Sequence, residues 1–207
     1  MIRFYRARWS TNCERVALGL AHKGLEAEAV LIDYSDRSAV ELVSGQGLVP
    51  VIDDHGTVVH DSINILRYLD LTRSSNKALF PNDAMERAAV EIFIEWFDAV
   101  WKQAPNRIEE EMESGEPDET LVAELSETMD RHLDRFEALL SGREYVNGGA
   151  IGAADFVAFP FLRYAAGRPE GDDELFHRIL DEHQDLEGRS RLSDWIARID
   201  DLPRTYG

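Results

Sequence analysis

The residues best suited to hold a ligand stand in two short motifs, Val49-Pro50 and Asp61-Ser62, with Pro50 and Asp61 eleven residues apart. Proline lacks an N–H and suits the first residue of a strand, so the backbone of Val49 is left able to pair with an extended molecule. Ser62 is predicted to be the N-cap of a helix, because an apolar helical face follows it. A helix N-terminus has unpaired N–H groups that attract a carboxylate. Together the motifs predict a cradle for a small, peptide-like anion.

Regular elements are predicted to hold both motifs in place. Val51-Ile52 and Thr57–His60 flank the polar stretch Asp53-Asp54-His55-Gly56, which is typical of a β-hairpin. The helix after Ser62 has its apolar face at Ile63, Ile65, Leu66 and Leu69.

The two motifs belong to two longer stretches, Gly47-Leu48-Val49-Pro50-Val51-Ile52 and Asp61-Ser62-Ile63-Asn64-Ile65-Leu66-Arg67-Tyr68-Leu69. Together these stretches resemble the glutathione-binding half of cytosolic glutathione transferases. The resemblance is to bacterial members with a serine-type active site. In that family the proline is cis, the preceding backbone pairs with the cysteinyl part of glutathione, and the acid–serine pair holds the γ-glutamyl end. It implies that glutathione is the co-substrate, that no metal takes part, and that the binding residues are Leu48, Val49, Pro50, Asp61 and Ser62.

The order of elements agrees with this resemblance. Before residue 72, strand-like and helical runs follow one another as β-α-β-α-β-β-α, the thioredoxin-like arrangement, at residues 2–5, 13–23, 27–32, 38–43, the hairpin and the helix after Ser62. From residue 84 onward apolar residues recur only at helical spacing. The expected fold is α/β plus all-α, the glutathione transferase fold. Its thioredoxin-like domain spans 1–74, its linker 75–83 and its all-helical domain 84–207, in which Gly152 caps a buried helix and Asp155 is the third helical residue.

Charge and composition exclude several classes of protein. The net charge is −18: residues 1–80 have nine Lys/Arg against ten Asp/Glu, and residues 81–207 have thirteen against thirty. Such a surface repels nucleic acid and anionic membranes. No apolar stretch approaches the ~20 residues that cross a bilayer, and a single cysteine excludes an internal disulfide framework. We therefore expect a cytoplasmic protein, with His177 and His183 as surface groups rather than metal ligands.

The resemblance also places the catalytic group. Ser10 lies three residues before Cys13 at the start of the first helix, where many family members have a catalytic serine or cysteine. Glutathione reacts as a thiolate, and lowering a thiol pKa by about two units requires ~2.7 kcal/mol. A hydrogen bond to a charged sulfur supplies ~1.5–3 kcal/mol and a helix N-terminus ~0.3–1 kcal/mol. Ser10 is therefore predicted to stabilise the thiolate, with Thr11 and Asn12 as further candidates.

Other interpretations of residues 10–13 remain open. Ser10 could simply cap the helix. Ser10 and Asn12 also match the hydroxyl–any–Asn spacing of the disulfide-reducing Nu-class members, in which both side chains address the sulfur. Cys13 is predicted to be a buried, structural residue, because a cysteine inside a helix that faces a sheet behaves as a small apolar group.

Two departures from the family pattern bear on glutathione binding. Leu48 stands where many members have a Lys or Gln that reaches glutathione, and Gln46 is the nearby residue that could take over this contact. Asp61 replaces the usual Glu or Gln and is one methylene shorter. The pocket for a second substrate is expected near Ser10, although core packing explains each of its candidate residues equally well: Trp9, Trp101, Arg107, Phe161 and Tyr164.

The activity implied by the resemblance is conjugation of the glutathione thiolate to a small, electrophilic and largely apolar substrate by a homodimeric detoxification enzyme. Three alternatives remain: a glutathione-dependent disulfide reductase, a non-catalytic module that kept the fold, and an enzyme that uses another low-molecular-weight thiol.

Overall fold

The computed structural model describes residues 1–206, which form two compact units. The first comprises Met1–Arg87 with residues 202–206, and the second comprises Ala88–Asp201. The division at 1–74, 75–83 and 84–207 stays a prediction from sequence. Among the described residues, none of the helices combines the length and the apolar character that a membrane span needs.

The first unit is a four-stranded mixed sheet with helices packed on it. Its elements are β1 (Ile2–Arg6), α1 (Thr11–His22), β2 (Ala27–Leu31), α2 (Ser38–Ser44), β3 (Val51–Asp54), β4 (Thr57–His60) and α3 (Ser62–Thr72). The strand order is β2-β1-β3-β4, with β1 parallel to β2 and the other pairs antiparallel. This is the predicted thioredoxin-like arrangement.

The hairpin of β3 and β4 closes more tightly than the sequence suggested. Asp54 pairs with Thr57 in the ladder, so the turn consists of His55 and Gly56 alone. Their φ values are +54° and +92°, the positive pair that a two-residue hairpin turn requires. The Asp53 carboxylate accepts the Gly56 N–H at 2.7 Å and fixes the turn.

Helices α1 and α3 run parallel and touch at three points, each spaced by four residues. Arg15 donates to Ser62, Gly19 lies against Leu66, and the Lys23 ammonium is 3.4 Å from the Asp70 carboxylate. A Cβ at Gly19 would collide with Leu66 Cδ2, so a larger residue here would force the Leu66 side chain to move. Both helix N-termini therefore lie on the same side of the unit.

The end of the described chain belongs to the first unit. Thr205 donates its N–H to the Ala17 carbonyl at 3.1 Å, and the Arg204 guanidinium contacts the Glu14 carboxylate at 3.0 and 3.1 Å. The Tyr206 ring centroid lies 4.4 Å from the Arg6 guanidinium carbon. Residues 202–206 thus hold α1 and the end of β1 in place.

The second unit is helical, as predicted, apart from an isolated bridge between Tyr145 and Gly148. It contains α4 (Ala84–Trp96, whose first turn belongs to the first unit), a π-helical turn (Phe97–Trp101), α5 (Gln103–Glu113), α6 (Glu119–Leu139), α7 (Ala153–Leu162), a 3₁₀ turn (Arg163–Ala166), α8 (Leu175–Glu182) and α9 (Ser190–Asp200). Every residue of α7 is buried, which makes this helix the centre of the unit.

A buried carboxylate organises the start of α7. Gly152 is the N-cap and Asp155 the third helical residue, as predicted. The Asp155 carboxylate accepts N–H groups from Val146 (2.8 Å), Gly152 (3.1 Å) and the Trp195 indole (2.8 Å). Burial raises the pKa of this carboxyl to about 6, against the effect of these donors. One side chain therefore joins the loop before α7 to α9.

The expectation that His177 is a surface group is wrong. His177 is buried, and its Nδ1 lies 2.9 and 3.0 Å from the Asp172 carboxylate oxygens, which also accept the Tyr164 hydroxyl at 3.0 Å. Sequence spacing alone could not reveal this partner, because Asp172 lies in a loop outside α8. His183 is half-buried, with Nδ1 3.1 Å from Ser126 Oγ.

We predict that Asp155→Ala lowers the free energy of unfolding by about 3–5 kcal/mol, because it strands three N–H donors without their acceptor. Chemical unfolding followed by tryptophan fluorescence at pH 7.5 measures this. Asp194→Ala, at an exposed position of α9, is the matched control and should change stability by less than about 0.5 kcal/mol. A loss below about 1 kcal/mol in the Asp155 variant would contradict the assigned role.

Candidate functional site

The backbone before β3 is available to an extended ligand. The Val49–Pro50 peptide bond is cis, as the family resemblance implied. Pro50 is buried and Val49 is half-buried, just beyond the end of the β3 ladder. Within residues 1–206, neither the N–H nor the carbonyl of Val49 forms a hydrogen bond. A peptide-like molecule could therefore pair with both groups.

The prediction that Ser62 caps α3 is wrong, because Asp61 holds that position. Its Oδ1 accepts the N–H groups of Ile63 and Asn64, both at 3.0 Å. A charged acceptor gains more than a hydroxyl from the positive end of a helix. The Asp61 backbone has φ +71° and ψ 127°, an unfavourable conformation for a residue with a side chain. This is the kind of strain that tends to persist at binding sites.

Ser62 is instead the first residue of α3, and it is buried. Its hydroxyl oxygen accepts a hydrogen bond from Arg15 Nη1 at 3.3 Å. Sequence reasoning missed Arg15, because a charged residue inside a helix is usually exposed. The available signal was Gly19, four residues later on the same face of α1, where a glycine inside a helix can mark a close approach.

Ser10 caps α1, so the structural alternative for this residue is confirmed. Its Oγ accepts the Cys13 N–H at 3.2 Å, and its side chain is partly exposed. Thr11 is the buried first residue of α1, and Asn12 follows it, half-exposed. The Cys13 N–H uses a lone pair of Ser10 Oγ and not its hydrogen, so the capping role and a ligand-binding role are compatible.

Cys13 is buried, as expected of a structural cysteine. Burial raises the pKa of its thiol to about 11, against the opposing effects of a hydrogen bond with Ser10 and the positive charge of Arg6. A thiol with this pKa is almost fully protonated at neutral pH, which makes it a poor nucleophile. Arg6 was not among the residues predicted from sequence, although it directly precedes this region at the end of β1.

The loop before Val49 supplies no substitute for the Lys or Gln that many family members have at the position of Leu48. Leu48 is exposed, and the Gln46 amide is turned onto its own loop. Gln46 Oε1 accepts the Leu48 N–H at 2.6 Å, while its Nε2 donates to the Leu48 carbonyl at 2.9 Å and to Ser44 Oγ at 3.0 Å. Gln46 therefore stabilises the loop and does not replace a side chain that reaches a ligand.

The residues predicted for a second-substrate pocket fall in both units. In the first unit, Trp9 is half-buried beside the Arg8 guanidinium. In the second, Trp101 and Phe161 are buried, the Tyr164 hydroxyl is held by Asp172, and Arg107 is exposed and paired with Glu110 and Glu111. Packing and ion pairing account for the latter four, so the pocket stays a prediction.

The chemistry available in the first unit is that of an anion site. Asp61, Ser62 and Arg15 lie at the N-terminus of α3, Ser10 lies at that of α1, and unpaired backbone lies at Val49. In the described part of the chain, no group of three or more His, Cys, Asp or Glu side chains is arranged to hold a metal ion.

Comparison with known proteins agrees with this arrangement. The chain is 30% identical to glutathione S-transferase hmp2 of Hypomyces subiculosus, with 95% of this chain and 96% of the relative aligned. The chain belongs to the glutathione S-transferase family. Family models for the glutathione S-transferase N-terminal and C-terminal domains match residues 9–72 and 119–198.

Two further proteins are similar to this glutathione S-transferase family member, one in sequence and one in structure. Glutathione S-transferase F10 of Arabidopsis thaliana is 29% identical over 91% of this chain and 87% of the relative. The solved structure of rice GST1 in complex with glutathione has a TM-score of 0.80 at 23% identity, covering 97% of this chain and 86% of the rice chain. This likeness shows the glutathione transferase fold, and the family uses glutathione as its co-substrate.

Proposed function

We propose that this protein binds glutathione at the two helix N-termini of its first unit and conjugates the thiolate to a small, electrophilic and largely apolar molecule. The observation that carries the proposal is that α1 and α3 begin on the same side of the unit, close to unpaired backbone at Val49. Neighbouring helix axes lie about 8–10 Å apart, and three extended residues span up to about 10 Å. One tripeptide can therefore reach both helix ends.

The γ-glutamyl end would be held at α3. Its carboxylate is an acceptor for the Ser62 hydroxyl and for N–H groups at the helix N-terminus. Its ammonium group needs an anion, and Asp61 Oδ2 forms no hydrogen bond among residues 1–206. The cysteinyl part would pair with the N–H and carbonyl of Val49, next to the cis-Pro50. The γ-glutamyl carboxylate, the ammonium group and the cysteinyl backbone of the ligand thus each have a complementary group on the protein.

The thiolate would be stabilised at α1. The Ser10 oxygen already accepts the Cys13 N–H, so its hydrogen can be donated to the sulfur of glutathione. That bond supplies ~1.5–3 kcal/mol, enough to lower a thiol pKa by about one to two units. The thiol proton passes to solvent. The sulfur then forms a bond to the electrophilic carbon, and a leaving group such as halide departs with its bonding electron pair.

We predict that Ser10→Ala raises the pKa of bound glutathione by about one to two units and slows aryl-halide conjugation at pH 6.5 by about tenfold or more. The rates of variant and wild type should converge as pH rises above the thiol pKa. Thiolate absorbance and the pH dependence of kcat/KM measure both effects. Cys13→Ala is the matched control one turn away, and it should keep the wild-type pH profile.

The same assay separates the alternatives. An unchanged pH profile in Ser10→Ala would refute the role of Ser10. Reduction of a model disulfide without conjugation of an aryl halide would favour the disulfide reductase, with Ser10 and Asn12 addressing the sulfur. Bound glutathione without either reaction would favour a non-catalytic module, and turnover with a different thiol would replace glutathione as co-substrate.

We also propose a cytoplasmic homodimer, as the family resemblance implies. Exposed apolar side chains of the first unit support a covered surface, because Leu71 on α3 and Met85 on α4 are each 80% exposed. Light scattering coupled to gel filtration should give twice the chain mass of 23.5 kDa. Leu71→Glu should shift the mass toward the monomer, because it places a charge in an apolar contact. A monomeric mass for the wild type would contradict the dimer.

A further inference from the structure

The second unit has a groove of its own, between α6 and the segment that follows α8. Its volume is about 410 Å³, within the range of about 300–1,000 Å³ that is usual for small-molecule sites. Gln184 is the buried member of the lining, at 6% exposed, and the other lining side chains are half-buried or exposed. Gln184 therefore forms the floor of the groove.

The amide of Gln184 is only half paired. Its Nε2 donates to the Phe161 carbonyl at 3.0 Å, and because a carbonyl can only accept, this bond fixes which amide atom is the nitrogen. Among residues 1–206, no donor forms a hydrogen bond with the buried Oε1. A buried acceptor without a donor is costly and uncommon in folded proteins. A ligand with an N–H group would complete the pairing of Gln184.

The walls of the groove carry four carboxylates and one guanidinium, on Glu127, Asp130, Glu182, Asp185 and Arg131. Asp130 is held by Arg189 at 2.7 Å. Glu127 and Glu182 have guanidinium partners only at 3.9 and 3.8 Å, in exposed pairs that contribute little. In the described part of the chain, Asp185 forms no ion pair. The net charge of the groove therefore favours a cation over an anion.

The half-buried His183 does not oppose a cation at neutral pH. Burial lowers its pKa, so the imidazole is uncharged there. Its Nδ1 lies 3.1 Å from Ser126 Oγ. In either tautomer of the imidazole, the Ser126 oxygen keeps a lone pair, because a hydroxyl oxygen has two. Ser126 is thus a second acceptor for a ligand N–H beside Gln184.

We propose that this groove is a binding site for a small aliphatic diamine. One ammonium group donates to Gln184 Oε1 and Ser126 Oγ, since a primary ammonium has three N–H donors. The second ammonium group lies among the carboxylates of the walls. The site is contained in the second unit, so it does not depend on how the first unit binds glutathione.

The test is an NMR titration with putrescine in about 150 mM NaCl, where diffuse attraction to an acidic chain is screened. The imidazole signal of His183, assigned with His183→Gln, should shift and saturate. Glu182→Gln combined with Asp185→Asn, at two exposed positions, should raise the Kd about tenfold. Glu113→Gln combined with Glu116→Gln removes the same charge at exposed positions outside the groove, and should leave the Kd within about twofold of wild type.

Permethylated putrescine tests the hydrogen bonds, because it has the same charge and no N–H group. It should bind at least about tenfold more weakly than putrescine. Gln184→Met should remove most of this difference, and Ser126→Ala, at a half-buried position, takes its place if Gln184→Met does not fold. Equal binding of the two compounds, an equal loss in the Glu113 and Glu116 control, or a shift that never saturates would each overturn the inference.

Discussion

The close parallel packing of α1 and α3 is the constraint on which the proposed site depends. Gly19 allows the two helices to approach, because a Cβ at this position would collide with Leu66. Arg15 with Ser62 and Lys23 with Asp70 fix the register on either side of that contact. Parallel helices have their positive ends on the same side. The N-termini of α1 and α3 therefore lie next to each other. This is required if both are to hold one small anion.

Polar side chains have different roles in the two units. In the second unit, Asp155 accepts three N–H donors and joins the start of α7 to α9. Its partners are all protein groups, so its role is structural. In the first unit, the hydroxyl oxygens of Ser10 and Ser62 each accept one N–H from the protein, a bond that does not use the hydroxyl hydrogen. Incomplete pairing of this kind distinguishes residues suited to a ligand from residues that only stabilise the fold.

The sequence was sufficient to predict the thioredoxin-like order of elements and the hairpin before α3, since both depend on local spacing. The family resemblance implied Gly152 with Asp155 at the start of α7. Prediction from sequence failed where the position of a side chain depends on a partner that is distant in the sequence. Asp61, not Ser62, caps α3, because local preferences accept either residue. Arg15 and His177 are buried through Ser62 and Asp172, and no local pattern reveals such partners. Gly19, visible in the sequence, was the one indication of the helix contact that buries Arg15.

The central claim is tested most directly by calorimetric titration of the wild-type protein with reduced and with oxidised glutathione. The titrations are made at two temperatures, because the binding enthalpy changes with temperature and cannot be zero at both. Binding through the Val49 backbone and the N-termini of α1 and α3 predicts a clear isotherm for reduced glutathione and weaker binding of the oxidised form. Preferential binding of oxidised glutathione would favour the disulfide reductase. The absence of binding heat for both forms at both temperatures would contradict a glutathione site at these helix ends.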